Sequence, residues 1–264
     1  KNNILIYDRG GKILGSWGTE YPGAHGLTLI EEGNEEFLFI TDPETHKVCK
    51  TTLKGKKLLE INTPKEITQY ESEDQFKPTE TAIAPNGDIY VADGYGLDFI
   101  IQYDKKGNYI RHFGGKGNEN KHFDCCHGII FDSRDDNNSL LITSRTENAF
   151  KRFSPEGKHI ETFYLPSCYI CRPVLKNSML YFAVIVTKDW GSYDGMLAVL
   201  DENNSVVSLP GGSEPVYDYN GLISPVYDQK TFFNPHDVCI DNEENIYVPQ
   251  WNSGKTYPLK LTRV

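Results

Sequence analysis

The chain has 264 residues, of which 38% are hydrophobic and 24% are charged, a composition typical of a folded globular protein. Its net charge of −10 argues against nucleic acid or an anionic membrane surface as the main partner. No apolar run approaches the roughly 20 residues that a membrane-spanning helix needs, so we expect no membrane span.

The first segments of the chain predict a hairpin. Two short apolar runs, 4–8 and 12–17, flank a polar turn. They match the third and fourth strands of the repeat described next, without its first two strands. We therefore expect an incomplete first repeat, with native residues upstream of Lys1.

One pattern then recurs along the chain. A short approach leads to one distinctive residue, a hydrophobic strand, a polar turn and a second strand rich in Ile, Tyr and Val. The distinctive residues are His25, Thr79, His127 and His236. The last interval is about twice the others, which predicts a further copy at Cys168. A fixed period of this size indicates a repeat fold.

Each copy continues with two more strands around a tight turn, as at 105–108 and 154–157. No segment has apolar residues at helical spacing. Four short strands in a unit of 40 to 55 residues are typical of a β-propeller blade. We predict an all-β, six-bladed propeller in a single domain, 1–264, with the final unit lacking its fourth strand. A five-bladed ring closed by the N-terminal hairpin is the alternative.

Equivalent positions of the inner strands converge near one mouth of a propeller. The column here contains His25, Thr79, His127, Cys168 and His236. Three neutral imidazoles with a fourth position open form the ligand set of a catalytic zinc. Imidazole also suits copper, iron and nickel. The alternative is that these histidines only hydrogen-bond backbone groups at the channel. For the four other histidines, His46, His112, His122 and His159, we expect surface roles.

Segments 75–80, 89–95, 101–103 and 107–110 resemble the NHL-repeat propellers. More narrowly, they resemble the catalytic core of peptidyl-α-hydroxyglycine α-amidating lyase. This resemblance implies a six-bladed propeller with a zinc ion on three histidines and a structural calcium ion. It also implies cleavage of the C–N bond of a peptidyl α-hydroxyglycine, which gives a peptide amide and glyoxylate.

The resemblance assigns the metal ligands to particular residues. The zinc ligands fall on His25, His127 and His236. The calcium ligands fall on the Asp237 carboxylate and the Leu27 carbonyl, and a third carbonyl would lie upstream of Lys1. Oxygen ligands are what calcium requires. For Asp237, a carboxylate that caps a strand start is the alternative.

The resemblance also assigns catalytic roles. The family's catalytic tyrosine falls on Tyr95 in the turn Asp93-Gly94-Tyr95. Tyrosine has an ordinary pKa near 10, so a nearby cation would be needed to make it a base. Arg145 matches an arginine of the family and is a candidate for binding a substrate carboxylate. A surface ion pair is the alternative for Arg145.

Two departures from the family are visible. The family's substrate-clamping arginine lies in a part of the first blade that this chain lacks. The disulfide beside the family's tyrosine is missing, because Gly96 stands in its place. A non-catalytic propeller that binds a protein, peptide or glycan at its mouth, or a carbohydrate-active lyase or hydrolase, therefore stays open. We expect a secreted or periplasmic monomer acting on a small-molecule or peptide substrate.

Overall fold

The regular structure is almost entirely antiparallel strand. A computed structural model describes residues 1–134, 139–187, 190–213, 216–219, 221–223 and 231–262. Within these residues lie 23 strands, numbered below in chain order, and one 3₁₀ turn, Glu73–Gln75. None of their helical segments has the length and apolarity to cross a membrane. The chain folds as two compact units, Lys1–Gly117 and Asn118–Val264.

The first unit contains one hairpin and two four-stranded sheets, in which neighbours in sequence pair with each other. The hairpin is β1 (Ile4–Tyr7) and β2 (Ile13–Trp17). Blade 1 is β3 (Leu27–Glu32), β4 (Glu35–Asp42), β5 (Lys47–Thr52) and β6 (Lys57–Ile61). Blade 2 is β7 (Glu80–Ile83), β8 (Ile89–Ala92), β9 (Phe99–Tyr103) and β10 (Tyr109–Gly114).

The second unit repeats this construction. Blade 3 is β11 (Cys126–Asp132), β12 (Ser139–Ser144), β13 (Ala149–Phe153) and β14 (His159–Tyr164). Blade 4 is β15 (Ile170–Lys176), β16 (Met179–Val184), β17 (Met196–Leu200) and β18 (Val206–Ser208). A separate hairpin pairs β19 (Val216–Asp218) with β20 (Gly221–Ile223). Blade 5 has three strands, β21 (Cys239–Ile240), β22 (Ile246–Val248) and β23 (Leu259–Leu261).

The prediction of six blades is wrong: the described residues form five. The hairpin β1–β2 is a two-stranded sheet of its own, with no further strand added to it among those residues. Two strands expose most of their side chains and cannot bury a face as a four-stranded blade does. The three-stranded blade 5 confirms the prediction that the final unit lacks its fourth strand. The single domain over 1–264 stays a prediction.

Burial follows the order of the strands within a blade. The middle strands are buried on both faces, as every residue of β8, β12 and β17 shows. The outermost strands are largely exposed, as in β14. This gradient explains why the second and third strands read as continuous apolar runs, whereas the fourth strands carry alternating polar residues.

The outer hairpins turn where the sequence predicts. In the turn between β9 and β10, Asp104 Oδ1 accepts the backbone N–H groups of Lys106 and Asn108, at 2.8 Å and 2.9 Å. Gly107 has φ +84°, in the left-handed region that favours glycine. The aspartate carboxylate therefore accepts hydrogen bonds from the backbone N–H groups of the turn, and the glycine adopts the left-handed conformation that reverses the chain.

Candidate functional site

A recurring hydrogen bond fixes the chain just before each distinctive residue. In four blades a polar residue lies at the end of the second strand or one or two residues after it, and its side chain accepts a backbone N–H from the segment before the first strand. The bonds are Gly23 N to Asp42 Oδ2 (3.1 Å), Lys77 N to Asp93 Oδ1 (2.6 Å), Asp124 N to Ser144 Oγ (2.9 Å) and Phe233 N to Gln250 Oε1 (2.7 Å). We call these the strand-end hydrogen bonds. Each lies two or three residues before His25, Thr79, His127 or His236.

Backbone register shows which residues are equivalent. In three blades the acceptor is the carbonyl just before the polar residue of the strand-end hydrogen bond. The bonds are His25 N to Thr41 O (2.9 Å), Thr79 N to Ala92 O (2.8 Å) and His236 N to Pro249 O (2.9 Å). In blade 1 the Thr41 hydroxyl also donates to the carbonyl of Thr79, the column residue of the next blade, and in blade 3 the Thr143 hydroxyl donates in the same way to the Cys171 carbonyl. Cys171 therefore holds the column position of blade 4.

The prediction of Cys168 for this position is wrong by three residues. The Cys168 N–H donates to the Leu165 carbonyl in a tight turn, and its side chain lies in the buried core of the second unit. Ser167, with φ +63°, reverses the chain there. Strand β15 therefore begins only at Ile170, and the column position falls on Cys171.

His25 is held in one tautomer by its neighbour. Its Nδ1 lies 2.8 Å from the Thr79 carbonyl oxygen, which can only accept a hydrogen bond, so Nδ1 carries the proton. The lone pair therefore sits on Nε2, which lies 3.1 Å from the Tyr95 hydroxyl. A histidine whose second nitrogen donates to a carbonyl is the usual arrangement of a metal ligand. Within the first unit, His25 is thus prepared to give Nε2 to a cation.

The turn that carries Tyr95 is built around the buried Asp93 carboxyl. Asp93 accepts the Tyr70 hydroxyl at 2.6 Å and the N–H groups of Lys77 and Leu97 at 2.6 Å and 2.7 Å. Burial raises the pKa of Asp93 to about 7, although these three hydrogen bonds oppose the rise. The Tyr95 N–H adds a 3.3 Å bond to the Lys77 carbonyl. Tyr95 itself is 40% exposed, so a fixed backbone presents an accessible phenol.

Gly96 occupies the position to which the resemblance assigns a cysteine, and the turn leaves no room for a side chain there. A Cβ atom at this position would lie 2.2 Å from Asp93 Oδ1 and 2.3 Å from the Gln75 carbonyl oxygen. The Asp93 hydrogen bonds therefore hold the Tyr95 turn without a disulfide. All six cysteines of the chain are free thiols.

His127 and His236 face each other in the second unit. Their ring centroids lie 5.0 Å apart, with an angle of 77° between the ring planes. His127 is 2% exposed and His236 is half-buried. This pairing brings together ring nitrogens from blades 3 and 5.

Arg145 is buried, which excludes the alternative of a surface ion pair. It follows β12 and is 4% exposed. Its Nε donates to the Ile170 carbonyl at 3.1 Å, and an Nη contacts the Cys171 sulfur at 3.3 Å. The Cys171 thiol stays protonated, because burial raises its pKa to about 11. The sequence offered no signal for this contact, which joins residues 26 positions apart.

The calcium ligands implied by the resemblance do not fit calcium here. Asp237 is the one charged member of that set, and both its oxygens are bound by the Arg172 guanidinium: Nε to Oδ1 at 3.1 Å and Nη2 to Oδ2 at 2.9 Å. The resemblance assigns only the backbone carbonyl of Leu27, a residue that pairs with Ile40 in the ladder between β3 and β4. Calcium needs six to eight oxygens around it, and a carboxylate already paired with a cation is a poor member of such a shell. Sequence reasoning missed Arg172 entirely.

Two of the three predicted zinc ligands, His127 and His236, lie in the second unit, and one ring nitrogen of each lies within 4.8 Å of the other. Ligand atoms about 2.0–2.1 Å from a tetrahedral zinc ion lie roughly 3.4 Å apart, so small side-chain rotations would bring these two nitrogens to the spacing of metal ligands. The third, His25, lies in the first unit with Nε2 prepared for a cation. The residues present therefore fit a metal that prefers imidazole. Nothing in the geometry selects zinc over its neighbours.

No protein-family model matches the chain. Two curated relatives are similar in sequence. "Probable peptidyl-alpha-hydroxyglycine alpha-amidating lyase pgal-1" of Caenorhabditis elegans is 32% identical over 120 residues, which is 45% of this chain and 33% of the relative. "Peptidyl-glycine alpha-amidating monooxygenase" of mouse (Mus musculus) is 28% identical over 273 residues, which is 99% of this chain and 26% of the relative. The chain thus spans a quarter to a third of the length of these relatives.

A solved structure shows the same fold. Virginiamycin B lyase from Staphylococcus aureus, solved with quinupristin, has a TM-score of 0.60 and 16% identity, and the match covers 98% of this chain and 76% of that one. The chain is a β-propeller that resembles the amidating lyases. At 16% identity, the structural similarity supports the fold but not the substrate.

Proposed function

We propose that the protein is a metal-dependent lyase with its site at His25, His127 and His236. It would cleave the C–N bond of a peptidyl α-hydroxyglycine or a close analogue. The observation that carries the proposal is the state of the histidines within each unit: the Thr79 carbonyl fixes the His25 proton on Nδ1, and one ring nitrogen of His127 lies within 4.8 Å of one of His236. The relatives named as amidating lyases support the reaction class. NHL-type repeats and zinc as the metal belong to this proposal.

The three histidines would hold the metal, which would supply a Lewis acid for the substrate's hydroxyl oxygen. His25 is already oriented for this role, because the Thr79 carbonyl fixes its proton on Nδ1. Imidazoles that are held by backbone acceptors need little rearrangement when they bind a cation. The chain thus contributes prepared ligands.

Tyr95 would handle the proton of the reaction. In the proposed step its phenolate oxygen takes the proton of the α-hydroxyl, the hydroxyl oxygen becomes the carbonyl oxygen of glyoxylate, and the electron pair of the breaking C–N bond passes to nitrogen. That nitrogen gains a proton and leaves as the peptide amide. The closeness of the Tyr95 hydroxyl to His25 Nε2, at 3.1 Å, supports this role. A positioned acid or base contributes typically 10²–10⁴-fold to a rate.

Arg145 would hold the substrate's carboxylate. A guanidinium is always charged and binds carboxylates through paired N–H groups. Burial strengthens such an interaction, because little water competes for either partner. The low exposure of Arg145, 4%, supports this assignment.

Metal analysis tests the first half of the proposal. We expect about one zinc ion per chain in the purified protein. His127→Ala should lose this ion, and the matched control His122→Ala should keep it. Wild-type protein that is folded but binds no divalent metal after incubation with zinc would contradict the site.

Turnover tests the second half. N-benzoyl-α-hydroxyglycine would give benzamide and glyoxylate, and glyoxylate is measured as its phenylhydrazone. We expect turnover by the zinc-loaded wild type and His122→Ala, and none by His127→Ala. A zinc-loaded wild type without turnover on this substrate or on α-hydroxyglycine peptides would refute the lyase assignment and leave the metal site standing.

A second candidate function rests on exposed aromatic rings in the second unit. Trp190 and Trp251 are each 51% exposed, their ring centroids lie 6.4 Å apart, and Trp190 also contacts Tyr169 at 5.8 Å. Such a surface suits a non-catalytic propeller that binds an apolar peptide or a glycan. Under this alternative, tryptophan fluorescence would respond to a ligand equally in wild type and His127→Ala. Secretion or a periplasmic location, and a monomeric state, stay predictions.

A further inference from the structure

A charged pair next to His236 joins strand β15 of the second unit to the segment before β21. Arg172 lies in β15, and Asp237 directly follows His236. Arg172 Nε binds Asp237 Oδ1 at 3.1 Å and Nη2 binds Oδ2 at 2.9 Å, which is the two-point geometry of guanidinium and carboxylate. The Val238 N–H adds a third bond to Oδ1 at 2.8 Å. Each oxygen of Asp237 thus has a donor within the chain.

The fold, rather than a chance rotamer, places Arg172 there. Strand β15 packs closely on β11, where Gly128 follows His127. A Cβ atom at position 128 would lie 2.6 Å from the Arg172 Cα atom, so only glycine permits this approach. The side chains of Arg172 and Asp237 are 17% and 24% exposed, which leaves the pair partly shielded from water. Shielding strengthens the attraction between the two charges.

We propose that the Arg172 guanidinium supplies the positive charge at Asp237 that the resemblance assigns to calcium. The protein would therefore fold, and hold its histidine-bound metal, without calcium. A calcium ion at Asp237 would have to displace a guanidinium already bound at two points, or sit beside its like charge. The proposal concerns metal content and stability, so it does not depend on the lyase reaction.

The chain offers a matched control. Arg134 binds Asp132 through the same two-point geometry, with Nε to Oδ1 at 2.9 Å and Nη2 to Oδ2 at 2.8 Å. This second pair is buried and lies at the end of β11 away from His127. Replacing either arginine with glutamine removes one charge and one two-point ion pair. Of the two carboxylates, only that of Asp237 would then become available to bind calcium.

The experiment compares thermal unfolding of protein stripped by a chelator and reloaded with zinc alone, with and without excess calcium. We expect no change in the wild-type Tm on adding calcium, and no calcium bound in equilibrium dialysis with the radioactive ion. Arg172→Gln should unfold at a lower temperature without calcium and regain about 3 °C or more with it. Arg134→Gln should lose stability and regain none.

Two results would overturn the proposal. One is a calcium ion bound by the wild type with a matching rise in Tm. The other is an Arg172→Gln protein that responds to calcium no more than Arg134→Gln does. Where Arg172→Gln fails to fold, Arg172→Lys keeps the charge and should stay insensitive to calcium, so a calcium-dependent Tm in that variant would also refute the proposal. Glyoxylate release is measured separately, and its absence would bear on the lyase assignment alone.

Discussion

The Tyr95 hydroxyl lies 3.1 Å from Nε2 of His25, the nitrogen that carries the ring's lone pair. The other ring nitrogen, Nδ1, donates a hydrogen bond to the Thr79 carbonyl. One lone pair cannot bind both a hydroxyl proton and a metal ion. If His25 binds the proposed metal through Nε2, the phenol loses this acceptor and becomes available to a substrate. Metal binding and release of the Tyr95 hydroxyl are then one event.

Tyr95→Phe separates these two functions. We expect kcat to fall by about 10²-fold or more, because the group that takes the proton is gone. Zinc affinity should stay the same or rise by a few-fold, because the hydroxyl no longer competes for the His25 lone pair. Turnover and competition with a zinc-sensitive dye measure the two effects. Tyr164→Phe, at an exposed position on β14, is the control. A loss of zinc together with activity would contradict this interpretation.

Thr79→Ala tests whether Thr79 acts through its backbone. The carbonyl orients His25, whereas the Thr79 hydroxyl donates to the Ala92 carbonyl at 3.1 Å and accepts the Gly94 N–H at 3.4 Å. The variant keeps the carbonyl, so we expect zinc affinity within about tenfold of the wild type. His25→Ala, in contrast, should abolish stoichiometric zinc. Equal losses in both variants would show that the Thr79 side chain is itself a ligand.

The buried Asp93 predicts a pH dependence of stability. Its pKa is raised to about 7 in the folded protein, so the folded state keeps this proton while the unfolded state loses it near pH 4. The contribution of the protonated Asp93 carboxyl to the free energy of unfolding is therefore complete below about pH 4. It is lost as the pH rises to about 7, by at most about 1.4 kcal/mol per pH unit.

Asp93→Asn should remove this decline, because the amide does not titrate. Urea unfolding of wild type and variant between pH 4.5 and 8 measures the difference, with Asp104→Asn as the control at an exposed turn. Parallel curves for wild type and Asp93→Asn would mean that the Asp93 hydrogen bonds keep the carboxylate ionised throughout.

The free thiols should divide sharply in reactivity. Burial raises the pKa of Cys168 to about 12 and that of Cys171 to about 11, so almost no thiolate forms at pH 8. Cys239 is exposed. We expect iodoacetamide to label Cys239 in the native protein and to spare the buried pair, whereas all six cysteines react in urea. Native labelling of Cys171 at the rate of Cys239 would contradict the buried contact with Arg145.

Local patterns predicted the all-β propeller class and the backbone positions of Thr79 and two histidines. His25, Thr79 and His236 occupy equivalent places because each follows the same approach and strand, and the sequence displays that pattern directly. The Cys168 prediction failed because the turn at Ser167 leaves Cys168 before the start of the strand, so the column position falls on Cys171. The position and type of a strand can be read from hydrophobicity, but its register depends on such turns.

Contacts between distant segments were beyond sequence reasoning. Arg172 and Asp237 are 65 residues apart, and Arg145 and Cys171 are 26 apart. Each contact depends on how neighbouring blades pack, which no local pattern records. The polar residues that end the second strands, such as Asp42, Asp93 and Ser144, were visible in the repeats and could have predicted the strand-end hydrogen bonds.

The strand-end hydrogen bonds leave the column side chain uncommitted. The bonds before Thr79 have the same form as those before His25, yet the two side chains differ completely. A scaffold that anchors its peptide beside the functional position, rather than through it, can exchange that side chain at small cost to folding. New donors could therefore be grafted at Thr79, which makes this chain a starting point for redesigned catalysts.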